Sequence, residues 1–301
     1  MFEKRLSEYI GTKYAVALNS GTDALYLALR AMKIGQGDEV IVPSRTFVAT
    51  AQVVVQIGAT PVYVDVGENV LSLITEKTKA IIPVHIEGMV YENMDMISKV
   101  CKEKDIWLIE DAAQALGTVG VGNFGDIGCF SFYPAKILGA FGDAGAITTN
   151  NRQIYEWIKG ARNHFKEDAS DWGVNSRMDN LQAAILNVRF DDLENNLARR
   201  KEIAEMYLGK LNNIKGIKLP PDTYGRVWQD YIIRTEKRDE LYQFLKDNEI
   251  ETLKNNYPFP VPKLPLAQKY EDETLRLPCN DNLTDEEINF VIKKIKEFYD
   301  N

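Results

Sequence analysis

The chain has 301 residues, 45% of them apolar and 27% charged, which is ordinary globular usage and excludes a disordered chain. Its 36 basic and 44 acidic side chains leave a net charge of −8, which argues against broad nucleic-acid binding while allowing a phosphorylated small substrate in a locally positive pocket. Three cysteines and two histidines, with no CxxC pair, give neither a disulfide framework nor a zinc site, so no metal is expected.

The opening MFEKRLSEYI carries charges where a signal peptide needs an apolar run. The longest apolar region, Val48 to Val64, is broken by Gln52, Gln56, Gly58 and Pro61 and falls short of the ~18 residues of a membrane span. The expectation is a soluble, cytoplasmic protein that binds no membrane.

YAVAL (14–18) reads as a strand, followed by a helix in SGTDALYLALRAM with Leu25, Leu29 and Met32 on one face. EVIVP (39–43) is a strand, TFVATAQVVVQIG a helix ended by Gly58, and TPVYVDV (60–66) a strand. KAIIPVH (79–85), a helix near 93–103, DIWLIED (105–111), GCFSFY (128–133) and GAITTN (145–150) follow. These runs lack strict alternation, as strands buried on both faces do. Their regular exchange with helices predicts a mostly parallel sheet flanked by helices. Residues 151–213 read as mainly helical, with a long amphipathic stretch from Met178 to Leu211. Beyond Pro220–Asp222 the pattern is a smaller α+β unit: strand-like VWQDYIIRT (227–235), helical DELYQFLKDN, strand-like IETL and a last helix, 284–299, opened by the capping box Thr284/Glu287. The prolines at 258, 260, 262 and 265 make 257–265 a stiff loop. The expected division is a large domain, 1–213, and a small C-terminal domain, 214–301.

Three features carry chemistry. Asn19-Ser20-Gly21-Thr22 joins a strand to a helix, and a helix start with free N–H groups suits a phosphate, although Ser20 also reads as a simple N-cap. Asp111 ends an apolar strand at the sheet edge where α/β proteins bind ligands; it could hold a protonated ring nitrogen, or cap a short helix in AAQAL. Lys136 follows an apolar strand and Pro134 and precedes Gly139, Gly142 and Gly145, which places an amine beside buried structure where it can condense with an aldehyde. A phosphate cradle, a strand-end aspartate and a lysine together meet the needs of pyridoxal 5′-phosphate. Phe47, just after EVIVP, would supply an aromatic for the ring face or else a core helix residue.

NSGTDAL (19–25), EVIVPSRTFVATA (39–51), IEDAAQALG (109–117), FGDIGCFSFYPAKILGAFGDAGAI (124–147), GVNSRMDNLQAA (173–184) and LTDEEI (283–288) together resemble the DegT/DnrJ/EryC1/StrS family of nucleotide-sugar aminotransferases. The resemblance implies a fold-type I, aspartate aminotransferase-like α/β fold and an enzyme moving nitrogen from a donor, glutamate, to a keto group on a nucleotide-linked sugar. It implies that Lys136 bonds the cofactor aldehyde and shuttles the proton, and that Asp111 partners the ring nitrogen. Gln114 would lie near the ring oxygen, Gly21, Thr22 and Ser131 on the phosphate, and Phe47 on the ring. Asn175 would reach the phosphate of a neighbouring subunit in a homodimer with shared sites, with Arg177 anchoring its loop. His85 stands where the family has a strand-end histidine near the site, and reads equally as a satisfied structural histidine. The run NSRMD and KILGAFGDAGA resemble members that aminate C3 rather than C4. Family members carry some thirty more N-terminal residues, with a helix and a Gly-rich segment, whereas here Met1 falls almost directly before FEKRLSEYIGTKYAVALNSGT; Glu87 replaces a usual aromatic and Asn256 a common histidine. Those departures bear on substrate recognition. The alternatives are a non-catalytic, cofactor-binding regulatory protein, and a sugar dehydratase, whose relatives replace the lysine with histidine.

Overall fold

A computed structural model describes residues 1–254, 262 and 264–300. The stiff loop expected at 257–265 therefore lies outside the described residues apart from 262, 264 and 265, as does Asn256. The elements are α1 (Phe2–Ile10), β1 (Tyr14–Leu18), α2 (Gly21–Ala31), β2 (Glu39–Pro43), α3 (Val48–Gln56), β3 (Thr60–Val64), β4 (Thr78–Ile81), α4 (Met94–Lys104), β5 (Trp107–Asp111), β6 (Ile127–Ser131) and β7 (Gly145–Thr149). There follow α5 (Arg152–Ala161), α6 (Asn180–Arg189), α7 (Leu193–Leu211), β8 (Tyr231–Arg234), α8 (Arg238–Asp247), β9 (Leu253–Lys254), α9 (Pro265–Glu273), β10 (Thr274–Leu277) and α10 (Asp285–Asp300).

All seven strands expected in the first half form one sheet in the order β1-β7-β6-β5-β4-β2-β3. β7 runs antiparallel to both neighbours and the remaining pairs are parallel. Each strand sends alternate side chains to two cores. Val16, Leu18, Val40, Val42, Ile127 and Cys129 pack with α2, α3 and α5. Ala15, Ala17, Phe130 and Ala146 pack with α1 and with Leu186, Phe190 and Leu193. Ile41, Val64, Ile81 and Leu108 pack with α4. Burial of both faces explains why these strands read as unbroken apolar runs.

The second half is less regular. The amphipathic stretch 178–211 is two helices, α6 and α7, separated by a tight turn at Phe190–Asp192. The strand-like 227–235 contributes only Tyr231–Arg234 to a ladder, and IETL yields the two-residue β9. AAQAL forms turns, not a helix, so Asp111 caps none. The capping box is present: Thr284 N–H donates to Glu287 Oε2 at 2.8 Å and Glu287 N–H to Thr284 Oγ1 at 3.2 Å. Helices α1 and α9 and strand β10 are additions that the sequence patterns did not suggest.

We propose two structural units, 1–213 and 214–301. The second has an antiparallel sheet, β8-β10-β9, covered by α8 and α10, and its core also takes Ile203, Ala204, Tyr207 and Leu211 from α7. Two of the contacts that bind it to the first involve buried or capping carboxylates. Asp65, just past β3, accepts the amides of Leu266 and Ala267 at 2.9 and 2.8 Å and so caps α9. Glu87, buried, pairs with Arg45 and lies 3.9 Å from the buried Arg226, whose guanidinium stacks over Trp228. Removing one member of a buried ion pair leaves charge uncompensated, a loss of about 3 kcal/mol or more. Glu87→Ala should therefore lower the unfolding free energy drawn from urea titration of tryptophan fluorescence by that amount, with a lower midpoint, while Lys99→Ala, in an exposed pair, should leave both nearly unchanged. Equal midpoints for Glu87→Ala and the parent would show that the carboxylate does not hold the two units.

Candidate active site

The amino end of α2 and the carboxyl ends of β5 and β6 open into one cleft of about 1500 Å³, whose far wall comes from the second unit. Ser20 caps α2 by accepting the Asp23 amide at 3.1 Å. Gly21 and Thr22 are the first two helical residues, so their amides have no partner within the helix. A side chain cannot replace hydrogen at Gly21, because a Cβ there would sit 2.8 Å from the Ser131 Cβ. The cap and the phosphate reading of this turn are thus compatible: Ser20 uses one amide and leaves the leading ones for an anion. Ser131 ends β6 on the same side of the cleft.

Asp111 is buried at the end of β5. Its Oδ2 accepts the Thr50 hydroxyl at 2.8 Å and its Oδ1 the Ala113 amide at 3.2 Å. Burial raises its pKa above the usual carboxylate value; the two hydrogen bonds and the charges of Lys136 and His85 oppose that only in part. A carboxylate so placed favours a cationic neighbour, the requirement of a protonated ring nitrogen. Gln114 Oε1 accepts the Glu87 amide at 2.7 Å, which leaves its NH₂ group as the donor in the cleft wall. Phe47 is 53% exposed at the N-cap of α3 and lines the cleft, so it is no core helix residue.

Lys136 is half-buried in the turn after β6, its amide bound to the Tyr133 carbonyl at 2.8 Å. Burial lowers its pKa from the usual amine value, while the Asp111 and Asp230 carboxylates pull the other way. A larger neutral fraction than that of a surface lysine suits both condensation with an aldehyde and proton transfer.

Of the residues singled out in the sequence, the cleft gathers Gly21, Thr22, Phe47, Asp111, Gln114, Ser131 and Lys136. Asn175 is not among the lining residues; it is exposed, on a loop tied down on both sides. Arg177 donates to Asn163 Oδ1 at 2.6 Å, and Ser176 Oγ donates to Asp23 Oδ2 at 2.7 Å. His85 faces elsewhere: it is fully buried, accepts the Tyr91 amide on Nδ1 at 3.0 Å and lies 3.0 Å from Glu110 Oε2 through Nε2. That pattern is a satisfied structural histidine. Thr50, buried behind the cleft against Asp111, and the cleft residues Gln229, Asp230 and Arg276 escaped the sequence reading. Thr50 stands three residues after Phe47 on α3, a helical spacing that could have found it; the others come from the second unit and leave no local pattern.

The anion-seeking helix start, the buried carboxylate and the amine fit pyridoxal phosphate at its three charged or reactive positions. Among the described residues no cluster of His, Cys, Asp and Glu could hold a metal ion, and no helix is long and apolar enough to cross a membrane.

A sheet in this order with this site defines a fold-type I pyridoxal-phosphate enzyme. The chain belongs to the DegT/DnrJ/EryC1/StrS aminotransferase family, whose model matches residues 1–296. It is 38% identical, over 99% of its length and 86% of the relative's, to the dTDP-3-amino-3,4,6-trideoxy-alpha-D-glucose transaminase of Streptomyces venezuelae. It is 37% identical, over 99% of its length and 88% of the relative's, to a pleiotropic regulatory protein of Geobacillus stearothermophilus. Among solved structures it resembles S. venezuelae DesV in complex with a ketimine intermediate, with a TM-score of 0.93 and 37% identity, covering 100% of this chain and 88% of that one.

Borohydride reduction of the cofactor-loaded protein, followed by peptide mapping, should place the pyridoxyl group on Lys136. A label on any other lysine overturns the assignment.

Proposed function

We propose that this aminotransferase moves an amino group from L-glutamate to a keto group of a nucleotide-linked sugar, with C3 as the favoured position. The observation that carries the reading is the meeting of the α2 amides, Asp111 and Lys136 in one cleft. Bound pyridoxal phosphate supplies an aldehyde that captures amines and a ring that takes up carbanion charge. Gly21 and Thr22 amides and Ser131 hold the phosphate, Phe47 covers a ring face and the Gln114 NH₂ donates to the ring oxygen. Asp111 keeps positive charge at the ring nitrogen. Lys136 Nζ, neutral in a larger fraction than a surface amine, takes the proton from the donor's α-carbon and later delivers one to the sugar carbon. Support for C3 comes from NSRMD and KILGAFGDAGA, which resemble C3 members, and from the 3-amino sugar in the S. venezuelae relative's name.

A homodimer in the cytoplasm completes the reading. Asn175 stands exposed on a stapled loop, and the large apolar residues Phe141, Trp172, Leu181 and Val188 are 68–86% exposed. Covering that surface with a second copy would carry Asn175 toward the partner's phosphate, to which a neutral amide can donate. A second reading, a cofactor-binding regulatory protein, draws on the name of the G. stearothermophilus relative. A dehydratase is disfavoured by Lys136.

Incubation with L-glutamate should convert the bound cofactor to its amine form, and a panel of nucleotide keto sugars, scored by mass, should reveal the acceptor. A cofactor that never turns over with any amino donor would favour the regulatory reading. Asp111→Asn should still bind cofactor but react with glutamate at least tenfold more slowly, about 1.4 kcal/mol in transition-state stabilisation, because an amide cannot hold the ring charge. Near-parental rates would reduce Asp111 to a turn residue.

Shared sites predict complementation. Asn175→Ala mixed with Lys136→Ala should give heterodimers with one intact site, and activity should rise well above either parent after subunit exchange. Parents that exchange subunits and recover nothing would refute the shared site.

A further inference from the structure

The turn that carries Lys136 is closed upon itself. Phe132 N–H donates to the Ala144 carbonyl and Ala140 N–H to the Phe132 carbonyl, both at 2.8 Å. The backbone on either side of the lysine is held differently. Gln229 Nε2 donates to the Ala135 carbonyl at 3.1 Å, and Gln229 Oε1 accepts the Ile137 amide at 3.1 Å. A carbonyl can only accept and an amide N–H can only donate, so this side-chain orientation is the only one that satisfies both. One buried glutamine thus brackets residue 136 with two bonds.

Gln229 does not belong to the sheet that carries Lys136. It lies just before β8, 92 residues from Ile137, and its own carbonyl accepts Arg200 Nη1 at 3.2 Å. Arg200, buried on α7, also donates to the carbonyls of Trp228 and Cys279 at 3.2 and 2.8 Å and pairs with Asp281 at 3.3 Å. The backbone of Gln229, in the second unit, is therefore held by Arg200 of α7 while its side chain fixes the lysine turn of the first unit. The neighbouring Asp230 lines the same cleft and pairs with Arg276 at 3.2 Å.

We propose that Gln229 is the positioning residue for Lys136: its amide sets the turn from which the amine reaches the cofactor and couples that turn to the second unit. The proposal rests on the reading of Lys136 as the cofactor-bonding lysine. A glutamine suits the task because it supplies donor and acceptor at one reach without adding charge beside Asp111 and Asp230.

Two variants test it. Gln229→Met keeps the length and loses both bonds; Gln229→Glu keeps the acceptor and loses the donor. In the protein without cofactor, Gln229→Met should speed hydrogen exchange of the Ile137 amide roughly tenfold, the scale of one lost hydrogen bond, and leave β6 protected. Gln229→Glu should leave that amide protected. In the cofactor-loaded protein, the pH midpoint of the visible band of lysine-bound cofactor should move by about half a unit or more in Gln229→Met. The kcat with glutamate should fall about tenfold with KM little changed, as for a misplaced base and not a lost substrate contact. Unchanged Ile137 exchange in Gln229→Met overturns the clamp. Faster exchange with an unmoved spectral midpoint and unchanged kcat overturns the positioning role and leaves Gln229 a packing residue. If borohydride labels a different lysine in the parent protein, the reading of Lys136 fails, and the proposal falls with it whatever the exchange result.

Discussion

The site is organised by a close approach. The amino end of α2 lies so near the ends of β6 and β7 that a Cβ at Gly21 would meet Ser131 at 2.8 Å and one at Gly145 would meet Ser20 at 2.2 Å. Two hydrogens, at two glycines on different elements, let a helix start rest directly on a sheet edge. That contact sets where an anion can bind, and the positions of Asp111 and Lys136 at the ends of β5 and β6 are then measured from it. The helix dipole acts within its first turn, so a shift of even one turn would separate the phosphate end from the reactive end.

The large sheet was legible because its physics is local. Strands buried on both faces must be apolar at every position, and glycines and prolines mark where each ends. Asp111 was legible for a related reason, because a charged residue closing such a run has to emerge at the sheet edge, and Lys136 because it sits in the Pro- and Gly-marked turn that follows one. Other parts had no such signature. AAQAL has helical composition, yet Asp111 and the tie between Thr118 and Gly88 keep that segment in turns. Strand β10, TLRL, has ladder partners on both sides, but its short mixed sequence gives no period to read. The segment Val227–Asp230 joins no ladder despite its strand-like composition; its bonds go to Gly88, Thr118, Arg200 and the lysine turn rather than to a neighbouring strand. Gln229 and Glu87 act across 92 and 139 residues respectively, and a sequence window cannot see that distance.

Charge is distributed unevenly around the cleft. The floor presents Lys136 and the α2 amides, whereas the wall from the second unit includes Glu249, Glu251, Glu286 and Glu287. The net charge of −8 therefore does not describe the site, whose lining mixes Lys136, Lys254 and Arg276 with Asp111, Asp230 and these glutamates.

The cap that Asp65 places on α9 has a consequence for how such a chain can be recombined. A helix begun by Pro265 has its next two amides bonded to a carboxylate 201 and 202 residues away, on the other unit. The C-terminal unit is thus not a cassette. Exchanged between homologous chains, or produced alone, it would lose both the α7 side chains that complete its apolar core and the group that starts one of its helices. A graft that respects the fold has to carry position 65 with it, and the natural seam for swapping acceptor specificity runs through side-chain pairs rather than along the backbone.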